Sequence, residues 1–147
     1  MYSIDEKDSV VAVPDLPKPT AGAGEPSLFA SEYALRLAYY VYAQDDAVAL
    51  VTFDVPTAHY FGPPHVDYVH SHPLHSRGLD IYGAFEVHHS SWIRSLERLA
   101  NLDFGGGRHF IITFHDSMFE CIAGRFSISM HKKHPAEVIH RAKMPSV

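Results

Sequence analysis

The string His70-Ser-His72-Pro-Leu-His75 holds the residues of this chain best suited to chemistry. Imidazole is the commonest protein metal ligand, and it titrates near neutral pH. Residues i and i+2 of an extended segment point the same way, so His70 and His72 can converge on one ion. His75 would be the third ligand, with His59 or Asp67 as a supplement and water in the open position. The expected cofactor is a divalent metal, zinc, manganese, nickel or iron. Seven of the twelve histidines lie between positions 59 and 89. The single cysteine, Cys121, excludes an intramolecular disulfide and any site that needs several thiolates.

Over four residues, His70-Ser-His72-Pro73 resembles the His-x-His-Pro segment of JAMM/MPN metalloproteases. That family also requires a Ser-x-x-Asp pair after a fixed spacer, and the corresponding Ile81-Tyr-Gly-Ala84 has neither residue. A cupin pattern fails for want of a glutamate after the histidines. The string is therefore read as a generic metal or polar-ligand site.

A second constellation is His115, Asp116 and Glu120, with His109 nearby. A hairpin turning at Asp116-Ser117 sets Phe114 opposite Phe119, Ile112 opposite Cys121 and Phe110 opposite Ala123. On the other face His115 and Glu120 become diagonal neighbours, roughly 7–8 Å apart, as a general base and the carboxylate that orients it. His59, Tyr60 and His109 are the expected ligand-binding residues. No Gly-x-Ser-x-Gly elbow is present, and Cys121 has the parity of a core residue, so no activated nucleophile is expected. The helix entry His88-His89-Ser90-Ser91, with Arg94 one turn inside, offers an anion the helix dipole and free N–H groups.

These residues need a scaffold. Leu35–Ala43 and Ala47–Asp54 are rich in Val, Tyr, Leu and Phe around a polar Gln44-Asp-Asp46, which predicts a β-hairpin central in a sheet. Residues 55–79, broken by four prolines and two glycines, predict a long functional loop. A strand is expected at 80–88, then a helix at 91–100 capped at Ser90-Ser91, with Trp92, Ile93, Leu96, Leu99 and Ala100 on its buried face. Residues 108–130 predict a three-stranded meander, and 135–143 a short terminal helix. The expected fold is α+β: a mainly antiparallel sheet of about six strands packed against one central helix, able to stay open or close into a barrel.

The chain has 147 residues, 46% apolar and 20% charged, which suits a folded domain. Residues 1–27, with Pro14, Pro17, Pro19 and Pro26, predict a flexible arm ahead of a single domain at 28–147. The net charge of −5 is uneven. Residues 1–46 hold eight acids against three bases, while residues 125–147 hold five bases against one acid. Five bases without interleaved aromatics are a poor nucleic-acid footprint. No signal sequence or membrane-spanning run is read, so the expected location is cytoplasmic. Two functions remain: a domain binding a metal or small polar ligand, with catalysis as an option, and an interaction module whose arm meets a protein partner or a second copy.

Overall fold

Along β3 (Leu35–Tyr40) and β4 (Val48–Asp54) apolar residues fall on both faces, Leu35, Leu37, Val51 and Phe53 on one and Ala38, Val48 and Leu50 on the other. In the computed structural model, which describes residues 2–22, 24–101, 103 and 105–143, both faces are covered. The other strands are β1 (Ser9–Ala12), β2 (Ser27–Ala30), β5 (Ala58–Gly62), β6 (Ala84–His88), β7 (Arg108–Thr113), β8 (Met118–Ala123) and β9 (Arg125–His131). Helices α1 (Ser91–Ala100) and α2 (Pro135–Lys143) complete the chain, with two 3₁₀ segments at Val66–Ser71 and Pro73–Arg77.

The strands form two antiparallel sheets, ordered β1-β6-β7-β8-β5 and β2-β3-β4-β9. Their facing sides enclose the main core. Leu35, Leu37, Tyr39, Val51 and Phe53 of one sheet meet Phe110, Ile112, Phe114, Phe119 and Cys121 of the other. Phe53 stacks on Phe119 with ring centroids 5.4 Å apart, and full burial of each such side chain contributes roughly 1.5–3 kcal/mol. The outer side of the four-stranded sheet is closed by Val138 and Ile139 of α2 against Ala38 and Val48. Beyond the five-stranded sheet, Val69, Leu74 and Leu79 of the 3₁₀ region pack on Phe85, Val87, Ile111 and Met118.

The architecture is therefore mainly β, with two packed sheets, no barrel closure and no central helix. The amphipathic pattern of α1 misleads on this point. Leu99 is 84% exposed, and among the described residues of α1 only Ser91 is buried. The helix runs past the sheet and uses its first turn as its anchor. The meander is corrected as well: β9 leaves β8 at Gly124 and pairs with β4, bringing Arg125 opposite Asp54 and Phe126 opposite Phe53.

One corner joins the two sheets. The ribbon β4–β9 continues as β5–β8, and between the pairs Asp54↔Arg125 and Ala58↔Ile122 lie Val55, Pro56 and Thr57 on one chain but only Ala123 and Gly124 on the other. The extra residue is a β-bulge, which bends a ribbon sharply. Val55 there has φ +51°.

Within the expected arm, residues 2–22 lie along the domain itself. β1 pairs with β6, Leu16 is buried in the main core, and Tyr39 Oη donates to Pro17 O at 2.7 Å. Asp5 and Asp8 reach α1, as described below.

Candidate functional site

The turn between β7 and β8 decides which ionisable residues meet. Phe114 N–H donates to Ser117 O at 2.9 Å, so the two turn residues are His115 and Asp116, one position earlier than expected. The facing of every side chain survives this shift, but the partners change. Glu120 now pairs with Ile111 and becomes the diagonal neighbour of His109, while His115 is carried out to the tip.

Glu120 accepts from three donors on the outer side of the five-stranded sheet. His109 Nε2 lies 2.7 Å from Oε1, His72 Nε2 lies 2.8 Å from Oε2, and Tyr2 Oη donates to Oε1 at 2.5 Å. His72 reaches the site because it ends the first 3₁₀ segment and caps the second. Leu74 N–H donates to its Nδ1 at 3.0 Å, so Nε2 carries the proton that faces Glu120. Ser90 completes the chain: its Oγ accepts from Ile93 N–H as the cap of α1 and sits 2.8 Å from His109 Nδ1. Tyr2 stacks on Trp92, centroids 5.4 Å apart, and Trp92 meets His109 edge-on. Burial alone raises the pKa of Glu120, but the hydrogen bonds from His109 and His72 outweigh it and hold the carboxyl at about 2. Burial, then the neighbouring carboxylate, pushes the Tyr2 hydroxyl far upward. The sequence signals for Tyr2 and His72 in these roles are weak, since both come from segments remote from β8.

The network is sealed. The side chains of His72 and His109 are 0% exposed and that of Glu120 is 1% exposed. Every ring nitrogen and both carboxylate oxygens have a partner within the protein. In this conformation the group joins the amino-terminal segment, the 3₁₀ region and α1 to the sheet.

The remaining candidates are dispersed. His70 and His75 are exposed while His72 points inward. Among the described residues no group of three or more His, Cys, Asp or Glu is placed to hold a metal ion. His59 and Tyr60 lie exposed on the edge strand β5, with Tyr60 Oη donating to Pro63 O at 2.7 Å. His115 Nδ1 lies 2.7 Å from Tyr82 Oη and its ring stacks on Tyr82, while Asp116 is exposed 3.9 Å away. Cys121 is buried, and burial, with Glu120 nearby, raises its thiol pKa, which leaves it a poor nucleophile.

The helix entry is already supplied with an anion from within. Asp8 accepts from Ser91 N–H at 2.8 Å and from the Ser91 hydroxyl, and Asp5 pairs with Arg94 at 2.7 and 2.9 Å. The hydrogen bond from Arg94 holds the Asp5 carboxyl below its usual range. A groove of about 640 Å³ beside it is bordered by Lys7, His88 and Arg94.

A second cleft, of about 410 Å³, lies between Ala12–Lys18 and Asp80–Phe85. Its lining is mostly apolar, including Val13, Leu16 and Ile81, with Lys18, Asp80 and Tyr82 as polar members. Tyr82 has φ +48°, a conformation that disfavours a bulky side chain, and its bond and stack with His115 hold it there.

Comparison with protein-family models, with curated proteins and with solved structures finds no match. Among the described residues no helix is long and apolar enough to cross a membrane.

Proposed function

We propose that this protein binds a small molecule in the cleft between Ala12–Lys18 and Asp80–Phe85. The ligand class is an organic molecule with an apolar body and one polar end. The observation that carries this reading is the composition of the cleft: about 410 Å³, largely apolar, with three polar side chains to orient a guest. Small-molecule sites commonly have this form and size. Tyr82 is the orienting residue, and His115 positions it by fixing the hydroxyl. Lys18 and Asp80 offer one charge of each sign. The reading keeps His115 in the binding apparatus through Tyr82 and separates it from Glu120.

The test is a fragment screen by ¹H–¹⁵N NMR on the whole chain. Shift changes should cluster at Val13, Leu16, Ile81, Tyr82 and Phe85, and Ile81→Trp, which enlarges an exposed side chain of the cleft lining, should abolish them while the β-sheet spectrum persists. Tyr82→Phe should weaken polar-ended fragments more than purely apolar ones. Fragments that concentrate elsewhere, or that bind the Ile81→Trp variant equally well, would refute the assignment.

A further inference from the structure

The basic carboxy-terminal region takes no part in the cleft, and the fold gives it a definite setting. Of the four strands at sheet edges, β1 and β2 have four residues, β5 has five and β9 has seven. An edge strand presents unpaired backbone N–H and C=O groups along its outer side. β9 contains no proline, and its parity is regular: Phe126 and Ile128 pack on the main core, while Ser127 and Ser129 look the other way. Where β9 ends, a groove of about 490 Å³ opens against α2. Apolar Leu50 and Val138 line it together with His131, Lys132, Lys133 and Arg141.

The charge there is not neutralised internally. Glu137 is shared by Lys133 at 3.7 Å and Arg141 at 3.3 Å, so one carboxylate serves two cations. No ion pair to Lys132 is formed among the described residues. Asp45 approaches from the β3–β4 turn, near His131 and Lys132, without forming an ion pair. Among the described residues, the surface thus joins a row of unpaired backbone groups to a cationic pocket with an apolar lining.

A second copy of this chain is a poor occupant. Antiparallel self-pairing about Ile128 would crowd Lys132 of each copy beside Arg125 of the other and supply no new carboxylate, since Asp54 is already held by Arg125 and Glu137 by Lys133 and Arg141. Neighbouring like charges disfavour a strand pair. Nucleic acid is disfavoured too, because among the described residues no Phe, Tyr or Trp lines the groove to stack a base.

We propose that β9 is a strand-addition edge that takes an extended acidic peptide segment of another protein, with its carboxylates at Lys132, Lys133 and Arg141. Main-chain hydrogen bonds along β9 would supply the register, and acids two residues apart would share the face of the added strand that meets the cations.

The probe is a fluorescein-labelled peptide of alternating Val and Glu, followed by anisotropy and by amide hydrogen exchange. The acidic peptide should bind, slow the exchange of β9 amides, and lose about tenfold in affinity both in Lys132→Glu/Lys133→Glu and on raising salt. A Val and Lys peptide should not bind the parent chain, and should bind the charge-reversed variant more tightly. Lys132→Gln/Lys133→Gln, which is milder for folding, should give an intermediate loss. Absence of acidic-peptide binding, equal binding of the basic peptide, tighter binding of an RNA oligonucleotide, or protection confined to β5 would overturn the proposal. So would a concentration-dependent doubling of mass with β9 protected, since a second copy would then occupy the edge.

Discussion

His109 Nε2 and Glu120 Oε1 lie 2.7 Å apart on neighbouring strands, and neither side chain reaches solvent. A carboxylate in such a place is stable only while its donors remain. Glu120→Gln keeps the shape but turns an NH₂ toward groups that already donate. Loss of about 3 kcal/mol is expected, read as a lower urea midpoint with an unchanged slope.

The same carboxylate sets an acid limit. Its folded-state pKa of about 2 lies below the ordinary 4.5, so its contribution is complete above about pH 4.5 and is lost as pH falls toward 2. The parent should therefore lose stability across that interval, by roughly 3 kcal/mol for this group. Glu120→Gln should show a correspondingly flatter acid limb in pH-resolved urea titrations. An equally steep limb in the variant would place the acid sensitivity on other carboxylates.

Within the histidine string the three alanine variants should separate. His72→Ala removes a buried donor to an ionised acceptor and the cap of the second 3₁₀ segment, and should lower stability by about 3 kcal/mol. His70 and His75 are exposed, so His70→Ala and His75→Ala should stay within about 0.5 kcal/mol of the parent. Equal losses in all three would mean that the string acts as one unit.

Asp8 caps α1 from outside the helix. Its carboxylate accepts from Ser91 N–H, and burial, which raises its pKa, is outweighed by the hydrogen bonds from Ser91 and the Asp5 backbone. Asp8→Ala should remove about 1–2 kcal/mol and speed amide exchange in the first turn of α1. Asp8→Asn keeps an acceptor and should recover part of the loss. Unchanged exchange at Ser91 and Trp92 in Asp8→Ala would show that Ser90 caps the helix alone.

What could be read in the sequence depended on periodicity, and what could not depended on phase. Alternation placed Phe110, Ile112, Phe119 and Cys121 on one side, and all four are core residues. The hairpin around Gln44-Asp-Asp46 was legible from strand-forming runs on either side of a polar turn, and the start of α1 from the capping residues Ser90-Ser91. Moving one turn by a single position left those faces intact but exchanged His115 for His109 beside Glu120. His72 and Tyr2 reach Glu120 from separations of 48 and 118 residues, which no local pattern encodes. Leu99 shows the opposite failure: an amphipathic helix states which face is apolar, not whether anything covers it.

Val55 carries the last prediction. It sits at the bulge where β4 passes into the other sheet, with φ +51° and 78% of its surface exposed. A β-branched residue in the left-handed region is strained by about 1–2 kcal/mol, because its Cβ crowds the following carbonyl. Little burial offsets that strain. Val55→Gly relieves it but adds unfolded-state freedom that takes back about 0.5–1 kcal/mol. Val55→Asn tolerates the same conformation without that entropic cost. Both variants should therefore be more stable than the parent, Asn by about 1 kcal/mol and Gly by less, while Val55→Ala, which keeps a Cβ, should change little. The order Asn, Gly, Ala in urea midpoints tests whether backbone strain, and not side-chain packing, governs this corner. Lower midpoints for both Asn and Gly would show that the Val55 side chain holds the bulge against Gly124, whose added Cβ would stand 3.8 Å from it.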